Sequence, residues 1–396
     1  MLKIQKKDGS IEAFSSQKIV SAIRKSANRA MYDLSDEQCR RVVDLTLAHL
    51  AEHGGDVAPV ANVHNAVERA LDDVAPDVAK CYRDYRNYKQ DFVHMLDDVY
   101  RKSQAIRYIG DRNNANTDSA LVPTQRSLIY NELSSALYKK FFLNREEREA
   151  MKDGYIYIHD RSARLDTMNC CLFDMENVLT GGFEMGNVWY NEPKTLDVAF
   201  DVISDVAISA AACQYGGFTI PEVDKILAPY AEKSYQKYFE EYTEIAAYNN
   251  LGDHEDVLTA ADEYAVKKVQ RDMEQGFQSW EYRFNTVGSS RGDYPFIAVS
   301  FGLDNSRFGR MASMTCMNVR AGGQGAAGHK KPVLFPKLTF LYDEELHGEG
   351  KPMEDVFECG VDCSTKAMYP DFLSLTGEGY IPSMYKKYGR VVSLMG

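Results

Sequence analysis

An asparagine followed by two adjacent cysteines, Asn169-Cys170-Cys171, is the stretch of this chain best suited to bond-making chemistry. A thiol S–H bond is weak enough for hydrogen-atom exchange with carbon, and the same group can also supply a proton. The cysteines lie in a short apolar run. In a strand, neighbouring side chains face opposite ways, so one thiol can point into a cavity while the other packs outward. A buried cysteine is most often structural, and the residues alone do not say which of the two is the reactive one.

Other candidates are weaker. The loops Gly288-Ser289-Ser290-Arg291-Gly292-Asp293 and Ala321-Gly322-Gly323-Gln324-Gly325 offer bare backbone amides that could approach phosphate or ribose oxygens, although such loops are often plain turns. Cys359 and Cys363 stand one helical turn apart, a spacing more typical of thiols packed on a helix than of reactive ones. His254 has no companion ligand in its acidic surroundings, residues 246–262, and receives no chemistry. The chain has eight cysteines, and none sits in a Cys-x-x-Cys pair, so no zinc site is readable and no metal ligand is assigned.

Around the cysteines the sequence proposes a frame. Tyr155-Ile156-Tyr157-Ile158 reads as a buried strand closing on the polar pair His159-Asp160. After Gly181-Gly182 a helix is expected from Thr195 to Cys213, its small residues permitting close packing. Residues 195–275 read as helical almost throughout, with Tyr235, Tyr238, Phe239 and Tyr242 as a core or interface stripe. Helices are also expected over Leu128–Lys140 and from Phe141. Beyond Trp280, strand-like runs at 284–287, 295–301 and 333–340 alternate with glycine-rich loops and a helix over Ser306–Arg320.

With 396 residues, 44% of them apolar, the chain has room for two or three domains and a large core. Its net charge of −12, without long single-sign blocks, argues against a nucleic-acid-binding surface. Apolar runs are too short to span a bilayer, and MLKIQKKDGS has no signal-peptide core, so a cytoplasmic protein with reduced thiols is expected.

Residues 1–95 read as a separate small domain. Leu2-Lys3-Ile4 and Ile11–Phe14 flank the turn Lys7-Asp8-Gly9-Ser10, a hairpin signal. Ser15 or Ser16 then caps a helix to Arg29, followed by helices over Asp36–His53, Val60–Val74 and Pro76–Val99. A short hairpin topped by four helices, with Lys6-Lys7-Asp8-Gly9, Glu12, Lys18-Ile19, Ala22-Ile23, Val63-His64 and Val67-Glu68, resembles the ATP-cone, a regulatory nucleotide-binding module. That resemblance implies ATP and dATP as allosteric effectors, with Lys6 and Lys18 at the phosphates and Glu12 and His64 at the nucleoside. Residues 96–127 are a polar connector, and 128–396 form the larger domain.

Taken in order, the ATP-cone, Asn169-Cys170-Cys171-Leu172-Phe173-Asp174, Gly182-Phe183-Glu184-Met185-Gly186-Asn187, Tyr215-Gly216-Gly217, Asn285-Thr286, Pro295-Phe296 and Phe335-Pro336-Lys337-Leu338 resemble the anaerobic class III ribonucleoside-triphosphate reductases, which are glycyl-radical enzymes. The resemblance implies an α/β fold: the helical ATP-cone, then the first part of a ten-stranded barrel built from two half-barrels around a finger loop. It implies reduction of ribonucleoside triphosphates at the 2′ position. Cys170 would take part in that reduction and Cys171 would face the barrel wall. His159, Asn169, Ser289, Ser290 and Gly292 are placed at the substrate. A radical-SAM iron–sulfur activase and a second copy of the chain are the implied partners, with formate or a thiol protein as reductant.

The chain departs from the family at its end. Tyr388–Gly396 matches the approach to the fingertip and stops one residue short of the radical-bearing cysteine. The second half-barrel, the zinc-binding Cys-x-x-Cys pairs and the glycyl-radical loop would all lie beyond it, so these 396 residues are expected to be inactive alone. A selenocysteine codon, an intron or intein, and an incomplete sequence are the candidate causes. Two alternatives remain: a formate-lyase relative, which would lack the ATP-cone, and a non-catalytic ATP/dATP-binding fragment or partner subunit.

Overall fold

The computed structural model describes residues 2–52, 55–107, 121–164, 169–249, 252–286, 292 and 294–389. The chain divides into two compact units, Met1–Arg101 and Lys102–Gly396.

In the first unit, β1 (Lys3–Gln5) pairs antiparallel with β2 (Ile11–Ala13) across a turn in which Gly9 takes φ +83°, the conformation the Asp-Gly sequence calls for. Helices α1 (Ser16–Arg29) and α2 (Asp36–Ala51) follow. Ser35 and Gln38 close a reciprocal capping box on α2, whereas Ser15, at the N-cap of α1, makes no side-chain cap bond. A third strand, β3 (Val57–Pro59), pairs parallel with β1 and was not foreseen; its three residues are too few to show a period. Then come α3 (Val60–Val74) and α4 (Pro76–Arg107). The apolar stripes of these helices meet at Ile23, Val42, Leu71 and Val78, all fully buried. Burying each contributes about 1.5–3 kcal/mol.

The second unit opens with α5 (Val122–Phe141) and α6 (Arg145–Lys152), the latter held by an Asn144–Glu147 capping box. The expected connector is therefore partly helical, since α4 runs to Arg107 and α5 begins at Val122. The expected strand Tyr155–Ile158 is not formed. It is a surface segment, with Tyr155 84% and Tyr157 80% exposed, and the N–H groups of Tyr155 and Ile156 donate to the Ala150 carbonyl of α6 rather than to a neighbouring strand.

A five-stranded parallel sheet carries the core, in the order β10-β9-β8-β7-β4. Strand β4 (Cys171–Leu172) leads through α7 (Met175–Leu179) and an antiparallel hairpin of β5 (Phe183–Met185) and β6 (Val188–Tyr190) to α8 (Leu196–Ala212). Next are β7 (Phe218–Ile220), α9 (Val223–Asn249), α10 (His254–Phe284), β8 (Ile297–Phe301), α11 (Arg307–Gly322) and β9 (Lys337–Tyr342). The chain continues through α12 (Glu344–His347), α13 (Glu354–Ala367), β10 (Asp371–Ser374) and α14 (Tyr380–Tyr388).

Three expectations change in detail. Strand β7 interrupts the helical stretch; all three of its residues are buried, and so short an apolar run cannot be told from helix by periodicity. The run at 284–287 is not a strand as far as it is described: Phe284 ends α10, and Thr286 Oγ1 donates back to the Tyr282 carbonyl. The third strand starts later, at Lys337 after Pro336, because a proline cannot donate to a ladder. The acidic stretch 246–262 forms the end of α9 and the start of α10, whose N-cap is Asp253. The terminal run Arg390–Leu394, read as a strand with open edges, lies outside the described residues.

The helices cover the sheet with a core in which Phe218, Val299, Phe335, Phe340 and Trp280 are at most 1% exposed. Tyr235 and Tyr238 pack on this core and donate their hydroxyls to Asp262 and Asp272, the core role expected of that stripe. Cys363 is also buried, its thiol donating to the Met317 carbonyl.

Candidate functional site

Parallel strands joined by helices put every helix-to-strand loop on one edge of the sheet, the amino edge. Ligands of open α/β sheets usually bind outside the carboxyl ends. Here the candidate residues gather at the opposite edge. The register aligns Cys171 with Phe218, Phe218 with Ile297, and Ala298 with Lys337. Immediately before those residues lie Asn169-Cys170, Gly216-Gly217, Pro295-Phe296 and Phe335-Pro336. Hydrogen bonds tie this edge together: Gly216 N–H to the Asn169 carbonyl at 2.5 Å, Cys171 N–H to Gly217 at 3.1 Å, and Phe218 N–H to Phe296 at 2.8 Å. Next along the edge, the Phe296 and Phe335 rings meet at 5.2 Å, and the side chain of Asn285 bonds Leu334 and both the N–H and the carbonyl of Phe335.

The two cysteines part as strand alternation requires. Cys170 is exposed, while Cys171 packs against the core and donates its thiol to Gln214 Oε1 at 3.1 Å. Burial pushes the Cys171 thiol above the ordinary value, which disfavours a thiolate there. Gly216 is the tight point. A Cβ on it would lie 2.5 Å from both the Asn169 carbonyl oxygen and Cys170 Sγ, so only glycine lets the second strand turn come this close. Beside Cys170, a cleft of about 350 Å³ is lined by Tyr138, Asp160, Ala163, Arg164 and Asn169. Asp160, in the left-handed conformation at φ +55°, sets its carboxylate 2.6 Å from His159 Nδ1 and 3.5 Å from Asn169 Nδ2.

Asp160 thus links His159 to Asn169, the chain neighbour of Cys170; His159 and Cys170 are not themselves among the residues that line the cleft. Gly292 is elsewhere in its surroundings: it sits against the first turn of α5, where a Cβ would meet Pro123 and Thr124 at 2.2 Å and where its carbonyl accepts from Thr124 Oγ1. Ser289 and Ser290 lie outside the described residues. Asp160 and Arg164 were not singled out as binding residues. A cleft wall formed by a left-handed turn and a helical turn leaves no periodic signal.

The first unit holds a second site, a cleft of about 770 Å³ between α1, α3 and α4. Lys7, Lys18, Lys25, Arg29, Arg86 and Lys89 line it together with His64, Tyr82 and Tyr85, and no carboxylate is among the lining residues. The Arg29 guanidinium stacks 3.9 Å over the Tyr85 ring. Glu12 accepts from Lys18 and Lys6, each at 2.8 Å, and the Lys18 ammonium, followed by that of Lys6, holds its carboxyl below the usual range. Lys6 reaches Glu12 without lining the cleft; Lys7 is the hairpin lysine on the wall. His64 Nδ1 is 2.7 Å from the Tyr82 hydroxyl. Burial, and then the positive charges of Arg86, Lys7 and Lys89, lower the His64 pKa, while burial raises Tyr82 to about 12, so both are neutral at pH 7. Lys25 and Arg29 could have been found from their spacing with Lys18 along one face of α1.

A family profile described as anaerobic ribonucleoside-triphosphate reductase matches residues 113–396, and one described as ATP cone domain matches residues 2–91. The chain is similar to the anaerobic ribonucleoside-triphosphate reductase of Haemophilus influenzae, with 31% identity over 379 residues that cover 93% of this chain and 51% of that protein. For the Escherichia coli enzyme of the same name the figures are 30% over 381 residues, 94% and 51%. The chain spans about half the length of these curated relatives. Among solved structures, the anaerobic ribonucleotide reductase from Thermotoga maritima is similar with a TM-score of 0.42 and 15% identity, covering 72% of this chain and 49% of that one. On the strength of the profile that matches most of its length, the chain belongs to the anaerobic ribonucleoside-triphosphate reductase family.

Proposed function

We propose that this protein serves the anaerobic reduction of ribonucleoside triphosphates to deoxyribonucleoside triphosphates, with ATP and dATP as effectors at its first unit. The observation that carries the reading is the exposed Cys170 thiol, held by Asn169 and Gly216 on the amino edge while its neighbour Cys171 faces the core. In the reaction the 2′-hydroxyl leaves as water and a C–H bond replaces it, with two electrons drawn from formate or a dithiol protein. Cys170 is assigned the proton and hydrogen delivery at the 2′ carbon. His159, Asp160 and Asn169 form a polar wall that can orient ribose hydroxyls, and Ser289, Ser290 and Gly292 are assigned to the substrate on resemblance. The resemblance implies that a glycyl radical, which a radical-SAM activase would install, would generate the cysteine thiyl radical needed for hydrogen abstraction from the ribose. Among the described residues no group of three or more His, Cys, Asp or Glu side chains is placed to hold a metal ion, and zinc is assigned on resemblance alone.

The effector assignment, over residues 1–95, is supported by the basic cleft. Its size falls in the range of small-molecule sites, its cations suit a phosphate chain, and its aromatic rings suit a base. Lys18 and His64 line it, Lys7 supplements the Lys6 assignment, and Glu12 restrains Lys18 from below. We assign residues 96–127 as connector and 128–396 as the first part of the ten-stranded barrel, of which five parallel strands would form one half. No helix among the described residues is long and apolar enough to cross a membrane. A cytoplasmic homodimer that does not bind nucleic acid completes the proposal.

The test is turnover. Protein expressed from its complete gene and activated under anaerobic conditions is expected to form dCTP from CTP in the presence of ATP, and to stop when dATP replaces ATP. Absence of a deoxyribonucleotide from all four ribonucleoside triphosphates, in protein shown to carry the radical, would contradict it.

A further inference from the structure

The amino edge carries a second feature that the assignments above do not use. Between α11 and β9 the chain reads Gly323-Gln324-Gly325-Ala326-Ala327-Gly328-His329-Lys330-Lys331, and from Gly325 onward it is exposed. Its base is fixed. Gln324 and Lys331 exchange two backbone hydrogen bonds, at 2.8 and 2.9 Å, and the Gln324 side chain donates to the buried Glu281 at 2.5 Å and accepts from Gln278 at 3.2 Å. Glycines are required on both flanks. A Cβ on Gly323 would come within 2.8 Å of the Lys331 backbone, and one on Gly325 within 2.9 Å of the His329 carbonyl oxygen, and both glycines have positive φ.

The tip is the opposite of the base. Among the described residues none accepts a hydrogen bond from the backbone N–H groups of Gly325, Ala326, Ala327 or Gly328, and no described carboxylate pairs with Lys330 or Lys331. Four consecutive amides without a protein acceptor are available to anionic oxygens, and a turn whose successive N–H groups converge is an arrangement that binds phosphate. Two lysines beside it add mobile full charges. The position is also telling. Pro336, five residues past Lys331 and just before β9, is three strands along the edge from Cys170, which at about 4.8 Å per strand puts those two about 14 Å apart.

We propose that the loop Gly323–Lys331 is an oligophosphate-binding nest that receives the phosphate chain of a ribonucleotide whose sugar lies at Cys170. The proposal rests on the reading of the amino edge as the substrate side, and it is separate from the basic cleft of the first unit. Anchoring of the base at Gln324 and Lys331 limits the freedom the loop has to lose on binding.

Lysine acetylation read by mass spectrometry tests it on the unaltered protein, residue by residue, with inorganic tripolyphosphate or CTP as the probe. Both probes are expected to slow acetylation of Lys330 and Lys331 about tenfold, the scale of one or two charge-assisted hydrogen bonds. The protection should persist in a Lys7→Gln, Lys18→Gln variant, in which the basic cleft is weakened. Unchanged rates at Lys330 and Lys331, with the cleft lysines protected, would overturn the loop assignment while leaving the effector cleft in place. Protection by tripolyphosphate but not by CTP would mark a free-anion site and overturn the nucleotide assignment. Neither outcome depends on turnover, so a failure of the reductase reading is distinguishable from a failure of this one.

Discussion

In protein expressed from its complete gene, Cys170→Ser is expected to reduce deoxyribonucleotide formation to background, whereas Cys171→Ser is expected to retain most of it and to lose at most about 1 kcal/mol of stability. The two residues differ in environment rather than in type. Cys170 is exposed on the amino edge beside the cleft of Asp160, Arg164 and Asn169. Cys171 packs on the core with its thiol committed to Gln214, a bond that a serine hydroxyl can also make. Serine at 170 keeps the size and the hydrogen bonding but not the weak S–H bond, so it separates radical chemistry from simple proton delivery. Anaerobic turnover of the activated variants measures both effects. Activity retained by Cys170→Ser and lost by Cys171→Ser would mean that the strand is read one residue out of register.

Glu281→Ala is expected to destabilise the second unit by about 3–5 kcal/mol, the usual loss when one partner of a buried ion pair is removed. Glu281 and Arg320 are 4% and 1% exposed on their side chains and meet at 2.6 Å. Arg320 also donates to the Pro336 carbonyl at 2.7 Å, while Glu281 takes the Gln324 amide on its other oxygen. Removing Glu281 therefore leaves a guanidinium in the core without its counter-charge and releases the base of the glycine loop at once. Arg320→Met together with Glu281→Leu should be less destabilising than either single change, because no unpaired charge remains. Urea denaturation of the variants reports the difference, and a loss below about 1 kcal/mol for Glu281→Ala would show that the pair is relaxed by water.

Much of this organisation was legible in the sequence for definite reasons. The Asp-Gly turn of the first hairpin, the helix stripe of Ile19, Ile23 and Ala27, and the start of α3 at Val60 all follow local rules, and the structure places them accordingly. Alternation around Cys170-Cys171 correctly divided the two thiols between surface and core. What was missed depends on long-range pairing. Tyr155–Ile158 has every local mark of a strand and forms none, because a strand exists only with a partner. Strand β7, Phe218-Thr219-Ile220, is too short to show a period and yet is an interior strand of the sheet, because its neighbours β4 and β8 supply the hydrogen bonds. The same limit hid the site walls: nothing near Asp160 or Gly216 in sequence says that they converge on Asn169 and Cys170. The family resemblance supplied Cys170 and the ATP-cone lysines, and spacing along α1 carries Lys25 and Arg29, but Arg86 and Lys89 became visible only once α1 and α4 faced one cleft.

The central claim is that the substrate sugar sits against Cys170 on the amino edge of the sheet. Thiol alkylation by iodoacetamide, followed by mass spectrometry under anaerobic conditions, tests it most directly because it needs no radical and no turnover. Cys170 is expected to react much faster than Cys171, and CTP is expected to slow Cys170 alkylation about tenfold or more without changing the rate at the exposed Cys213. A Cys170 rate that is indifferent to every ribonucleoside triphosphate, at concentrations that saturate binding, would contradict the account.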